Sequence, residues 1–194
     1  MPRFRLFAAI LLSLLAGHGA FALDIPLEQV VLQLPQWTAL PDRQGESGIE
    51  KRAKSADGKI LVNAWTNSSP KATVEQGVIF FILPLVTSVG DLKSRAETMK
   101  ISASDVDLIV DMANSSNYPV GNLNSKIKQV GVLGAGARKV YYVLSKPDER
   151  GDATLFVVTQ GRSPQTTNTA VFYGPPEALA NPTAFAKMFR DNPR

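Results

Sequence analysis

Four strand-like runs, at residues 127–133, 139–144, 154–160 and 169–173, fill the last third of the chain, and turn-forming residues separate them. Short runs at this spacing pair with their sequence neighbours, so they predict an antiparallel meander. Lys146-Pro147-Asp148-Glu149-Arg150-Gly151-Asp152 supplies one solvated hairpin loop, and Gly161-Arg162-Ser163-Pro164 supplies another. After the meander, Asn181 caps and Pro182 opens a helix. Its Phe185, Met188 and Phe189 form one apolar face, predicted to dock on the sheet.

The first two thirds are less uniform. Val30-Val31-Leu32-Gln33-Leu34 reads as a short strand stopped by Pro35 and followed by Trp37, with room for a one-turn helix from Pro26. Runs 48–53 and 60–66, joined by Ala56-Asp57-Gly58-Lys59, predict a hairpin, because Asp-Gly supplies the positive φ a tight turn needs. Val78-Ile79-Phe80-Phe81-Ile82-Leu83 reads as a strand buried on both faces and ended by Pro84. Next, Ser88-Val89-Gly90-Asp91 resembles a capping box, and Val89, Leu92, Ala96 and Met99 recur at helical spacing. Residues 104–113 fit a helix capped by Ser104 and burying Val106, Ile109, Val110 and Ala113. They also fit an alternating strand; the helix is preferred, and it puts Asp105 and Asp107 in a first turn where the dipole favours acids. Residues 114–124, rich in Asn, Ser, Gly and Pro, read as a loop. The expected fold class is α+β: a mainly antiparallel β-sheet with packed helices, an α/β/α sandwich with the C-terminal helix docked on the sheet.

Arg3 and Arg5, the apolar run 6–16 and Ala20-Phe21-Ala22 follow the order of a cleavable signal peptide, so residues 1–22 are expected to be a leader. The apolar run falls well short of the ~20 residues that span a bilayer as a helix. The expected remainder is a single α+β domain at 23–194, periplasmic or secreted, with no transmembrane segment. Loss of two arginines with the leader lowers the formal charge from +4 to +2, and the only local cluster of bases is largely offset by acids, so no nucleic-acid partner is expected.

Cysteine is absent, and the one histidine, His18, lies in the leader. Ser-His-Asp and Cys-His nucleophiles and the usual zinc sites therefore lack their groups, and the fold must hold by core packing rather than by disulfides. No cofactor is expected. Val130-Gly131-Val132-Leu133-Gly134-Ala135-Gly136 imitates a dinucleotide fingerprint, but Lys139 stands where the third glycine belongs and Val140-Tyr141-Tyr142-Val143 follows as a strand. The stretch reads as a glycine turn between antiparallel strands. Asp105, Asp107 and Asp111 match no calcium loop and read as a solvated face. Ser94, Ser102, Ser125 and Ser145 lie near lysines without an S-x-x-K signature. Arg43, Lys51, Arg52 and Lys54 are offset by Asp42, Glu46 and Glu50. Trp37, Trp65, Tyr141, Tyr142 and Tyr173 read mainly as core rings.

Two segments carry a family resemblance. Val31-Leu32-Gln33-Leu34-Pro35-Gln36-Trp37 resembles the strand, Pro and Trp opening of PsbP-like and DcrB-like proteins, one residue short of their Leu-Pro-x-x-Trp. Residues 140–189 resemble their closing pattern: a strand, a hairpin, a strand ending in Phe172-Tyr173-Gly174-Pro175, and a helix with a phenylalanine face. The resemblance implies an α/β/α sandwich and an adaptor role that needs no catalytic residue. The expected function is thus a non-catalytic binding or accessory protein that recognises another envelope or secreted protein. Two alternatives stand beside it: a carrier of a small apolar ligand or lipid, with Phe80, Phe81, Tyr141 and Tyr142 lining a pocket, and a histidine-free hydrolase using carboxylates or Ser-Lys.

Overall fold

The computed structural model describes residues 22–192, apart from 47 and 70, so the leader assignment lies outside the described residues except for Ala22. In chain order come the strands β1 (Ala22–Pro26), β2 (Val30–Pro35), β3 (Thr38–Gly45), β4 (Gly48–Lys54) and β5 (Leu61–Ser68). Three helices follow: α1 (Val74–Ile82), α2 (Val89–Thr98) and α3 (Ala103–Ser115). The chain closes with β6 (Ile127–Leu133), β7 (Val140–Ser145), β8 (Ala153–Gln160), β9 (Thr166–Gly174), α4 (Pro182–Ala186) and β10 (Phe189–Asp191).

The meander forms in sequence order, and β9 then inserts beside β5, giving a seven-stranded antiparallel sheet with the order β3-β4-β5-β9-β8-β7-β6. A smaller antiparallel sheet, β1-β2-β10, is built from the two chain ends. Strand periodicity sends alternate residues of the large sheet to opposite faces. One face carries Leu144, Leu155, Phe172, Val62 and Ala53 in register, packed with Leu32 and Leu34 of the small sheet and Phe185 of α4. The other carries Val130, Val143, Val158 and Tyr141 beneath Val78, Ile79 and Ile82 of α1, Leu92 of α2 and Ile109 of α3. The fold is α+β, with helices packed on antiparallel sheets and α4 docked against β7 and β8.

A buried amide ties the small sheet to the large one. Asn168 on β9 is fully buried, and its Nδ2 donates to the carbonyls of Glu28 (2.7 Å) and Gln160 (3.4 Å). Its Oδ1 accepts from the Glu28 N–H (3.0 Å) and the Thr66 hydroxyl (2.8 Å). The β1–β2 turn is thus pinned by a group that is costly to bury unpaired.

The structure corrects several local expectations. Residues 78–83 are not a strand: α1 covers most of them, because Thr73 forms a capping box with Gln76, and Val74, Val78, Ile79 and Ile82 bury one helical face. Ser102, not Ser104, caps α3, its Oγ accepting from the Asp105 N–H (3.2 Å). Pro26 ends strand β1 rather than opening a helical turn. Phe189 belongs to β10, where it pairs with Leu32, so α4 is shorter than its apolar pattern suggests. Strand β3 has no counterpart in the sequence reading, because it is an edge strand that is mostly exposed and holds Pro41 and a register shift between Leu40 and Arg43. Among the described residues, no helix is long and apolar enough to cross a membrane, which leaves strands unaddressed.

Candidate functional site

Helix α1 presents two phenylalanines to solvent. Its buried stripe fixes its rotation on the sheet, and Phe80 and Phe81 then fall on the outer side, 45% and 38% exposed. Each meets a ring from a different element. Phe80 lies 4.8 Å from Tyr118, in the loop after α3, and Phe81 stacks on Phe156 of β8 with centroids 4.2 Å apart and planes 13° from parallel. Offset ring pairs of this kind contribute about 0.5–1.5 kcal/mol beyond simple burial.

These rings wall an open groove of about 1200 Å³ that runs between the end of α1, residues 122–127 and the β7–β8 hairpin. Its floor is Val143 and Phe156, and its rim carries Lys126, Lys146, Asp148, Glu149 and Arg150. Asp148 also organises the hairpin, accepting from the N–H groups of Arg150 (2.9 Å) and Asp152 (3.1 Å). A smaller hollow of about 350 Å³ lies on the far side of Phe80, with Gly77, Leu108 and Met112 in its walls. Leu108 and Met112 are themselves about half exposed, so Phe80 joins two stretches of one apolar surface. Isolated exposed apolar residues are ordinary, whereas a continuous patch with a charged rim marks an interaction surface.

Of the four pocket residues suggested by sequence, Phe80 and Phe81 line this groove, while Tyr141 and Tyr142 lie elsewhere. Adjacent residues on a strand must face opposite ways, so the two tyrosines cannot share a wall. Tyr141 is buried beneath α1 and donates to Glu75 Oε1 (2.7 Å), which Lys139 Nζ also approaches (3.6 Å). Burial first, and the Glu75 carboxylate next, push its phenol well above the usual range. Tyr142 is buried against the small sheet, and its ring lies across Gly131, where any side chain would collide with it. That close approach accounts for the first glycine of the turn-like motif, and Gly134, at φ 77°, makes the turn itself.

The remaining candidates disperse. Asp107 pairs with Lys93 (2.9 Å), while Asp105 accepts from Gln76 Nε2 (3.0 Å). Trp37 packs edge-on to Phe172, with centroids 6.0 Å apart. Trp65 lies on β5, partly buried on the helix-side face. Tyr173 is half exposed on that face, its phenol raised by burial and by Glu50, with Arg43 opposing. Arg43 is bound to Glu50 (2.6 Å) and Lys51 to Asp42 (2.5 Å). Arg52 stands apart: its Nε is buried and has no hydrogen-bond partner.

Sequence reading missed Tyr118 and Phe156, and it took Arg52 only as part of a charge-balanced cluster. A signal for the groove is nevertheless present in the chain: Thr73 and Gln76 have the spacing of a capping box, which makes 74–82 helical. Helical spacing then leaves Phe80 and Phe81 off the buried stripe.

No family model matches this chain, and no curated protein does. Among solved structures, the chain is similar to the solution structure of cyanobacterial PsbP (CyanoP) from Synechocystis sp. PCC 6803. The two share 13% identity with a TM-score of 0.49, over 91% of this chain and 96% of the other. No site residue passes from that protein to this one.

Proposed function

We propose that this chain is a non-catalytic binding or accessory protein of the cell envelope or exterior, and that it grips a segment of another protein in the groove beside α1. The observation that carries the reading is the pair Phe80 and Phe81, exposed side by side although each is braced by a second ring. Braced aromatic side chains lose little freedom on binding, which suits them as anchors. Pockets that enclose a small molecule run to about 300–1,000 Å³ and bury most of it. The larger and open groove favours a polypeptide segment over an enclosed apolar ligand.

A photo-reactive phenylalanine analogue at position 81, with the same group at exposed position 190 of the small sheet as control, tests this in cells that make the protein. One defined protein adduct from position 81 and none from 190 is the expected result. Equal adducts from both positions, or none from 81, contradict it. Native mass spectrometry that finds a stoichiometric small apolar molecule bound would favour the carrier alternative.

A further inference from the structure

We propose that the segment gripped in the groove carries an acidic side chain about 14 Å from its apolar anchor, received by Arg52 and Lys54 on the open half of the large sheet. The inference rests on the reading of the groove as a peptide site and adds the chemistry of its occupant.

The groove's lining stops at Phe156, but the sheet row that carries Phe156 continues past it across buried Val171. Register places Phe156 beside Val171, Val171 beside Asn63, Asn63 beside Arg52 and Arg52 beside Leu40, all on the helix-side face. The helices pack on β6 and β8 at the other end of the sheet, which leaves the β5, β4 and β3 end of this row open. Three strand spacings separate Phe156 from Arg52, about 14 Å at 4.7–4.9 Å each. An extended segment that crosses the strands can therefore keep a ring or aliphatic group against Phe81 and Phe156 while a side chain four or five residues away reaches Arg52.

Charge decides what that side chain is. On this face Glu50 is already held by Arg43, and among the described residues neither Arg52 nor Lys54 forms an ion pair. Two residues apart on one strand, they project from the same side, and each raises the cost of the other's charge. Arg52 Nε is buried with no acceptor, and the terminal guanidinium nitrogens are the part of the group that a carboxylate can reach. At the groove's other mouth, Lys126, Lys146 and Arg150 stand beside Asp148 and Glu149, so one positive charge is left over there. Of the two ends, the β4 end holds the larger surplus, with Arg52 and Lys54 both outside ion pairs among the described residues, and the acidic side chain is assigned to it.

The test is selection of a random dodecamer peptide display library on the whole protein, followed by affinity measurement of the enriched peptides on wild type, Arg52→Gln and Lys54→Gln. The expected result is enrichment of an apolar anchor with Asp or Glu at a fixed separation. Arg52→Gln should weaken such a peptide about tenfold or more, and changing the peptide's acid to the amide should cost the wild-type protein the same factor. Enriched apolar peptides with no acidic preference, or with affinity unaffected by Arg52→Gln, overturn this inference and leave the groove reading standing. No enrichment from the library overturns both. The Arg52→Gln protein must keep the wild-type urea midpoint, and Lys54→Gln, at an exposed position, reports independently if it does not.

Discussion

Val62 and Asn63, Ala53 and Arg52, and Phe172 and Val171 are neighbours in sequence that face opposite sides of one sheet. On the small-sheet side the row is sealed, with Leu155, Phe172, Val62 and Ala53 entirely removed from solvent. On the helix side the matching row is only partly sealed: Val143 and Val171 are buried while Phe156, Asn63 and Arg52 are half-covered, with the half-exposed rings of Phe80 and Phe81 standing beside it. The same strands thus supply a finished core on one face and an unfinished one on the other. The difference lies in the covering layer: two chain ends close over the first face, while three helices reach only part of the second. A fold without disulfides depends on both buried layers for its stability, and apolar groups are exposed only where the helices stop.

Substitutions separate the two faces. The largest effect is expected at Phe172, where Phe172→Ala should cost about 3–5 kcal/mol in urea unfolding, since the ring packs against both Trp37 and Phe185 and its space cannot collapse. Asn168→Ala should cost about 2 kcal/mol or more, because the Glu28 amide and carbonyl are left without their partner. Amide exchange in β1 and β2 should rise with it, and a variant that loses stability without that rise would refute the clamp.

Tyr141→Phe probes where the open side becomes core. Loss of the bond to Glu75 should cost about 1 kcal/mol at neutral pH. The wild-type phenol is held protonated above its ordinary range, so its contribution is complete below the unfolded-state value of about 10 and is lost as pH rises beyond it. The stability gap between wild type and variant should therefore shrink from about pH 10 upward, and a constant gap would contradict the assignment. At the open face, Phe80→Ser should shift unfolding by about 0.5–1.5 kcal/mol, the worth of its ring pair with Tyr118.

Most of the sheet is legible in the sequence, because β6 to β9 carry β-prone runs between clear turns and the Asp57-Gly58 hairpin is short-range chemistry. The candidate site is legible only in part. Phe80 and Phe81 stand out as apolar residues, yet the same two rings complete an unbroken run that imitates a buried strand. A helix with an ordinary polar outer face would show its period; this one hides it because its outer face is apolar where the groove lies. Phe156 and Arg52 are not legible together, since their place on one row follows from β9 inserting between β5 and β8, a long-range choice that no local pattern encodes.

The most direct test places the photo-reactive analogue at Tyr118 and compares adduct yield in wild type with that in Phe80→Ser/Phe81→Ser protein of matched folded fraction. The expected result is a single protein adduct that disappears in the double variant while unfolding free energy falls by about 1–3 kcal/mol, the loss of the two ring pairs. An adduct of undiminished yield in the double variant would contradict a docking role for the open face.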